Sequence, residues 1–114
     1  MAVRQNDLLQ GTLDLLVLRS LLAGPNHGYA ITTRIHQFSQ EVLKVEEGSL
    51  YPALYRMEEQ GLIESEWSTT ENNRRARFYK LTRKGRLAAQ AELDSWLRLS
   101  KAITQVLRAI EQEG

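Results

Sequence analysis

The chain contains no cysteine, which excludes disulfides and thiolate-ligated metals and fits a reducing cytosol. Histidine is nearly as scarce. Only His27 and His36 are present, and no serine, acid or second histidine stands at a spacing from either that builds a catalytic triad or a metal cluster. Catalysis and metal binding are therefore not expected, and no cofactor is implied. His27 reads as a cap or turn residue, with a phosphate contact as the alternative, and His36 as a solvent-facing residue without a special role. No apolar run approaches the roughly 20 residues that span a bilayer. The first residues, with Arg4 and Asp7 ahead of a patterned helix, lack the form of a cleaved signal. A soluble cytoplasmic protein with no membrane partner is expected. An excess of one charge is also missing, because 15 basic residues against 14 acidic ones leave +1, so only local clustering can point to a partner. The 114 residues suffice for one compact domain with a modest core.

What is present is periodic. From Leu8 to Leu22, "LLQGTLDLLVLRSLL" places Leu9, Leu13, Leu16 and Val17 on one helical stripe, with Leu8, Leu15, Leu18 and Leu22 nearby. A helix apolar around almost its whole circumference needs cover on several sides, which implies a partner chain as well as its own core. "AGPNHG" stops it, with Asn26 or His27 as cap of a second helix over about residues 28–38 that buries Ile31, Ile35 and Phe38. Residues 39–47 form a link. A third helix is expected from Ser49, as its cap, to Gln60, with Pro52 in its first turn and Gly61 closing it. Gly48 and Gly61 read as backbone devices, since they form no glycine-rich phosphate loop. "LIESEWSTT" and "ARFYKLT" then have strand composition, with "ENNRR" as the turn between them. One long helix follows from Arg83 to about Gln112, with Leu93, Leu97, Ile103, Leu107 and Ile110 at helical spacing and Trp96 and Val106 beside that stripe.

The order helix, helix, helix, hairpin, long helix is that of a winged helix-turn-helix, a mostly α fold with a small β-hairpin. On the third helix the core stripe is Leu50, Ala53, Leu54 and Met57. Tyr51 and Tyr55, four apart, therefore share an outer face with Ser49, Pro52 and Arg56. Such a face can enter a DNA groove and offer hydroxyl and guanidinium groups to base edges and phosphates. The alternative is that the two tyrosines are amphipathic spacers over the core. The run "ENNRRARFYKLTRKGR" (71–86) carries seven bases against the single acid Glu71, as expected of a wing flanking a DNA backbone. Glu58, Glu59, Glu64 and Glu66 fall on the far end of the third helix and on the first strand, which makes charge segregated by position. Tyr29 either reaches a phosphate or caps the core.

"QGTLDLLVLRSLLAGPNHGYAI", "GSLYPALYRMEEQGLIE" and "RRARFYKLTRKGR" resemble the corresponding segments of the PadR-like transcriptional regulators, and the resemblance runs through nearly the whole chain, including the tryptophan on the final helix. It implies a winged-helix DNA-binding domain (1–82), a C-terminal dimerisation helix (83–114) of the short branch of the family, a homodimer, and repression relieved by a small molecule or stress signal. The candidate contacts to double-stranded DNA are then Tyr29, Ser49, Tyr51, Pro52, Tyr55, Arg56, Asn73, Arg74, Arg75 and Arg77.

The rival reading is a winged helix that binds protein, which has no need of so basic a wing. A homodimer is expected on the physical pattern too, through Leu8, Leu9 and Leu15 of the first helix and Leu97, Ile103, Val106, Leu107 and Ile110 of the last. Trp96 either fills space beside the apolar stripe or lines an interface pocket for a planar aromatic effector, with Leu8, Leu15 and Val17 as further lining.

Overall fold

The computed structural model describes residues 3–4 and 10–114. The elements run in the order β1 (Val3–Arg4), α1 (Gln10–Ser20), β2 (Asn26–His27), α2 (Gly28–Phe38), β3 (Leu43–Lys44), α3 (Glu47–Glu59), β4 (Ile63–Thr69), β5 (Arg75–Leu81) and α4 (Arg83–Glu113). This is the winged-helix order expected from the sequence. β4 and β5 form the wing, antiparallel and in register from Ile63 opposite Leu81 to Thr69 opposite Arg75. Two short pairings join this frame. Asn26 and His27 add a third strand beside β5, and Val3–Arg4 pairs in parallel with Leu43–Lys44 inside what reads as a link. Two residues are too few to carry an alternation, so neither strand has a sequence signature.

The core gathers one face from every large element: Leu13, Val17, Leu18 and Leu21 of α1, Ile31 and Ile35 of α2, the stripe Leu50, Ala53, Leu54 and Met57 of α3, Ile63, Tyr79 and Leu81 of the wing, and Ala89 of α4. Two core expectations need correction. Phe38 is 76% exposed, because Ile31 and Ile35 already define the buried line of α2 and Phe38 falls at its last residue. The second concerns α1, which packs against α2 and α4 of its own chain. Leu15 retains 6% exposure and Val17 none. Neither has surface left for a dimer interface or an effector pocket, and Leu8 and Leu9 lie outside the described residues.

The start of α3 also differs from expectation. The amides of Ser49 and Leu50 both donate to the Glu46 carbonyl at 3.1 and 3.0 Å, so Glu46 caps the helix through its backbone and Ser49 lies inside it. Pro52 is consequently past the first turn. Its missing N–H leaves the Gly48 carbonyl, four residues back, without its helical donor. The far end is as expected. Gly61, at φ +76°, closes α3 with the paired bonds of a Schellman ending, Leu62 to Met57 and Gly61 to Glu58, each 3.0 Å.

One threonine ties α3, wing and α4 together. Thr82 Oγ1 accepts from the Gly85 amide at 3.0 Å, which caps α4, and donates to the Gly61 carbonyl at 2.6 Å. Gly85 lies so close to β4 that a Cβ there would stand 1.9 Å from the Leu62 carbonyl oxygen. Gly85→Ala must push α4 off the wing and is expected to cost about 2–4 kcal/mol in a urea unfolding experiment. A cost within error of zero would mean that this junction is loose.

Beyond its first turns α4 leaves the body of the molecule, whose principal extents are 58 × 32 × 22 Å. Trp96, Leu97, Leu99, Ile103, Val106, Leu107 and Ile110 are all exposed on it. Trp96, Leu99, Ile103, Val106 and Ile110 step by three, four, three and four residues, the spacing of a coiled-coil seam. The sequence reading omitted Leu99 from this stripe.

Candidate nucleic-acid interface

Strand alternation decides which wing residues share a face with α3. From Ile63 and Leu81, both buried, the same face runs outward through Ser65 and Tyr79, then Trp67 and Arg77, to Thr69 and Arg75. The wing surface that begins as core thus turns aromatic and cationic toward its tip. Trp67 is 56% exposed, with the Arg75 guanidinium 5.0 Å and that of Arg77 6.0 Å from its ring centroid. An indole face attracts cations, so Trp67 is a platform that orients both arginines. The sequence reading missed it, although counting by two from Ile63 finds it.

The basic residues of the wing are not equivalent. Arg77 Nε donates to Ser65 Oγ at 2.7 Å, Ser65 Oγ donates to Glu58 Oε2 at 2.6 Å, and Arg77 Nη2 lies 3.5 Å from the same carboxylate oxygen. Lys80 pairs with Glu64 across the strands at 3.7 Å, both largely solvated. Charge is therefore interleaved, which corrects the expected segregation: α3 packs against the wing, and cross-strand neighbours bring β4 acids to β5 bases. Among the described residues Arg74 and Arg75 have no carboxylate partner. The tip turn presents them. The Thr70 amide bonds the Arg74 carbonyl at 2.8 Å, the Asn73 amide bonds that of Thr70 at 2.9 Å, and Asn73 sits at φ +60°, a left-handed conformation that asparagine tolerates. The turn itself explains Asn73.

On α3, Tyr51 is 43% and Tyr55 66% exposed, with Pro52 exposed between them. Tyr51 owes its position to Gly28, where a Cβ would stand 2.6 Å from the phenol oxygen. Partial burial, then the Glu47 carboxylate, raises the Tyr51 hydroxyl above its ordinary value. A hydrogen bond to Glu59 raises that of Tyr55. Both phenols are hydrogen-bond donors at neutral pH. His27, as expected, caps α2: its Nδ1 accepts from the Ala30 amide at 3.4 Å while its ring meets Phe78 of the wing edge-on at 5.2 Å. Tyr29, at 68% exposure, caps no core. In the run His27, Gly28, Tyr29, one residue thus caps the helix, one makes room for Tyr51, and one faces solvent.

Arg56 is not part of this exposed face. Its Nη1 and Nη2 donate to the two carboxylate oxygens of Asp14 at 2.8 and 2.9 Å, and this bond raises its pKa further. The fork locks α3 to α1, which the 42-residue separation hides from any local pattern. Arg56→Ala is expected to destabilise the fold by about 1–2 kcal/mol while leaving discrimination between DNA sequences intact. Arg56→Lys should not restore the loss, because lysine cannot bond both oxygens in plane. Chemical denaturation alongside DNA titrations checks both statements. Lost discrimination at unchanged stability would return Arg56 to the base-reading group.

Among the described residues no group of acids or histidines could hold a metal, and no helix is long and apolar enough to cross a membrane.

Known proteins share this architecture and part of its sequence. The sequence model described as "Transcriptional regulator PadR-like family" matches residues 17–91. A transcriptional regulator from Clostridium thermocellum superposes with a TM-score of 0.76 at 28% identity, over 84% of this chain and 93% of that one. A PadR family transcription regulator from Clostridium difficile gives 0.72 at 29% identity, over 83% and 97%. A PadR-like regulator from Bacillus cereus gives 0.73 at 27%, over 87% and 94%. Family, fold and a basic wing beside an exposed helix face agree, and they leave no place for an enzyme: the chain belongs to the PadR-like family of DNA-binding transcriptional regulators.

Proposed function

We propose that the protein is a homodimeric repressor that binds an inverted-repeat operator, with α3 of each copy in a major groove and each wing on the flanking backbone. One observation carries this reading. Among the described residues Arg74 and Arg75 have no carboxylate partner, and Arg75, held over Trp67, lies on the wing face that runs outward from Ile63 and Leu81, while Tyr51, Pro52 and Tyr55 are exposed on α3 itself. Cations at the tip suit phosphates, and the phenols suit base edges and sugars. Ser49 and Tyr29 flank this surface. Two-fold symmetry then requires half-sites about one helical turn apart, on the order of 34 Å, or a multiple of it. Selection of bound duplexes from a random pool tests the reading. A near-palindromic consensus is expected, and no enrichment over the starting pool would favour a protein-binding winged helix instead.

The dimer is assigned to α4, where residues 94–114 serve as the arm and the exposed seam from Trp96 to Ile110 as its contact. A planar aromatic effector would meet Trp96, half-exposed on that seam, and its remaining lining would come from the second chain. Such a ligand relieves repression only by binding better to a dimer whose α3 helices are wrongly spaced. Quenching of Trp96 fluorescence in a Trp67→Phe background, accompanied by loss of operator affinity, is the expected sign. Quenching without that loss would make Trp96 a packing residue.

A further inference from the structure

Glu47, Tyr51, Tyr55 and Glu59 stand four residues apart along α3 and are all exposed, so they form one ridge. A carboxylate at each end of a ridge that faces DNA works against affinity, because it repels phosphates. The same helix carries no free cation. Its only basic residue is Arg56, and both outer nitrogens of that guanidinium are held by Asp14. The commonest base contact, a guanidinium or ammonium on the N7 and O6 acceptors of guanine, is therefore closed to α3. The Tyr55 hydroxyl decides what remains. A phenol has one hydrogen to donate and lone pairs with which to accept. Tyr55 and Glu59 are hydrogen-bonded, about one turn apart on the ridge. An ionised carboxylate only accepts, so the single hydrogen of Tyr55 goes to Glu59 and only lone pairs are left for a further partner. Tyr51 is placed differently, with its phenol oxygen against Gly28 at the start of α2.

We infer that Tyr55 is a specificity-determining residue that accepts a hydrogen bond from a cytosine or adenine amino group in each half-site, and that Glu59 is the positioning residue that makes it an acceptor. This assignment rests on the operator reading above and names the base chemistry that α3 selects. The donors that the major groove offers are the exocyclic amino groups, N4 of cytosine and N6 of adenine. Guanine N7 and O6, thymine O4 and the phosphate oxygens have no hydrogen to give, so the Tyr55 oxygen is left unpaired against any of them. Glu59 thus lowers affinity for duplex DNA in general and raises discrimination between sequences.

The test uses the operator recovered by selection in three forms: unmodified, carrying N6-methyladenine and N4-methylcytosine, and carrying 7-deazapurines. Methylation covers the amino hydrogen that faces the major groove, whereas the deaza bases lose the N7 acceptor. The unaltered protein should bind the methylated form about tenfold more weakly than the unmodified one, since a contact is lost in both half-sites. Tyr55→Phe should erase most of that penalty and leave the response to 7-deazapurines as it was. Glu59→Ala should strengthen binding to random duplex and reduce the ratio of operator to random affinity about tenfold, but leave that ratio unchanged in a Tyr55→Phe background. A Glu59 that acts only on the helix itself would shift the ratio equally in both backgrounds, which would overturn its role. If Tyr55→Phe erased a penalty for 7-deazapurines instead, Tyr55 would be donating and the inference would fall. Unchanged penalties on both modified forms would remove Tyr55 from base reading and leave operator recognition standing. An unaltered protein that binds operator and random duplex alike would remove the operator reading together with this one.

Discussion

Ile103→Glu is expected to convert the protein to a monomer and to lower operator affinity about 100-fold or more, because a dimer on two half-sites gains its second contact at high effective concentration. Ile103 stands midway along the seam of Trp96, Leu99, Val106 and Ile110, all exposed in the single chain. Burying each such side chain is worth roughly 1.5–3 kcal/mol, and two-fold symmetry doubles every contribution. A glutamate in that seam meets the desolvation cost of a buried charge and, near the axis, its own symmetry mate. The winged helix should survive the change, since Ile103 lies outside the core. Sedimentation equilibrium, thermal unfolding and operator titration read the three consequences separately. A variant that stays dimeric at micromolar concentration would show that the seam is not the contact.

The second large effect concerns the wing. Arg74→Ala with Arg75→Ala should lower the slope of log affinity against log salt by about two units and weaken binding to every duplex, specific or not. Arg77→Ala should have a smaller effect, because that guanidinium is already engaged by Ser65 and Glu58. Tyr51→Ala should behave differently again, reducing the ratio between operator and random duplex by about 1–3 kcal/mol with little change of slope. These contrasts follow from the hydrogen bonds and ion pairs each side chain makes in the fold, which sequence charge alone does not reveal. If Arg77→Ala and the Arg74, Arg75 pair changed the slope equally per residue, the Glu58 contact would be irrelevant in the complex.

What the sequence made legible was whatever a period carries. α2 spans the residues expected of it, the four-residue core stripe of α3 is the one buried, and the wing pairs where its composition indicated. A stripe at helical spacing has one way to meet a core, so burial followed pattern. The misreadings share a different cause. Ser49 has the chemistry of a cap, but the backbone of Glu46 closes the helix first. Leu15 and Val17 seemed to exceed what one small domain could cover, yet α4 folds back beside α1. Arg56 is polar on a helix flank, and only the approach of α1 gives it Asp14. Arg77 and Lys80 belong to a basic run, and only strand register sets Glu58 and Glu64 against them. Partnerships across the fold decide which charges are free, and those are set by topology rather than by neighbours in the chain.

Specific binding of duplex DNA by the paired α3 and wing surfaces is tested most directly with two duplexes of equal length. One carries the inverted repeat recovered by selection, and the other has one half-site scrambled. Fluorescence anisotropy titrations of both across a salt series give affinity and slope together. The intact repeat should bind about 100-fold tighter than the scrambled one, with affinity on both falling steeply as salt rises, by a slope of several units. Equal, weak and nearly salt-independent binding to the two duplexes would contradict a DNA-reading role for this surface and leave a winged helix that recognises protein.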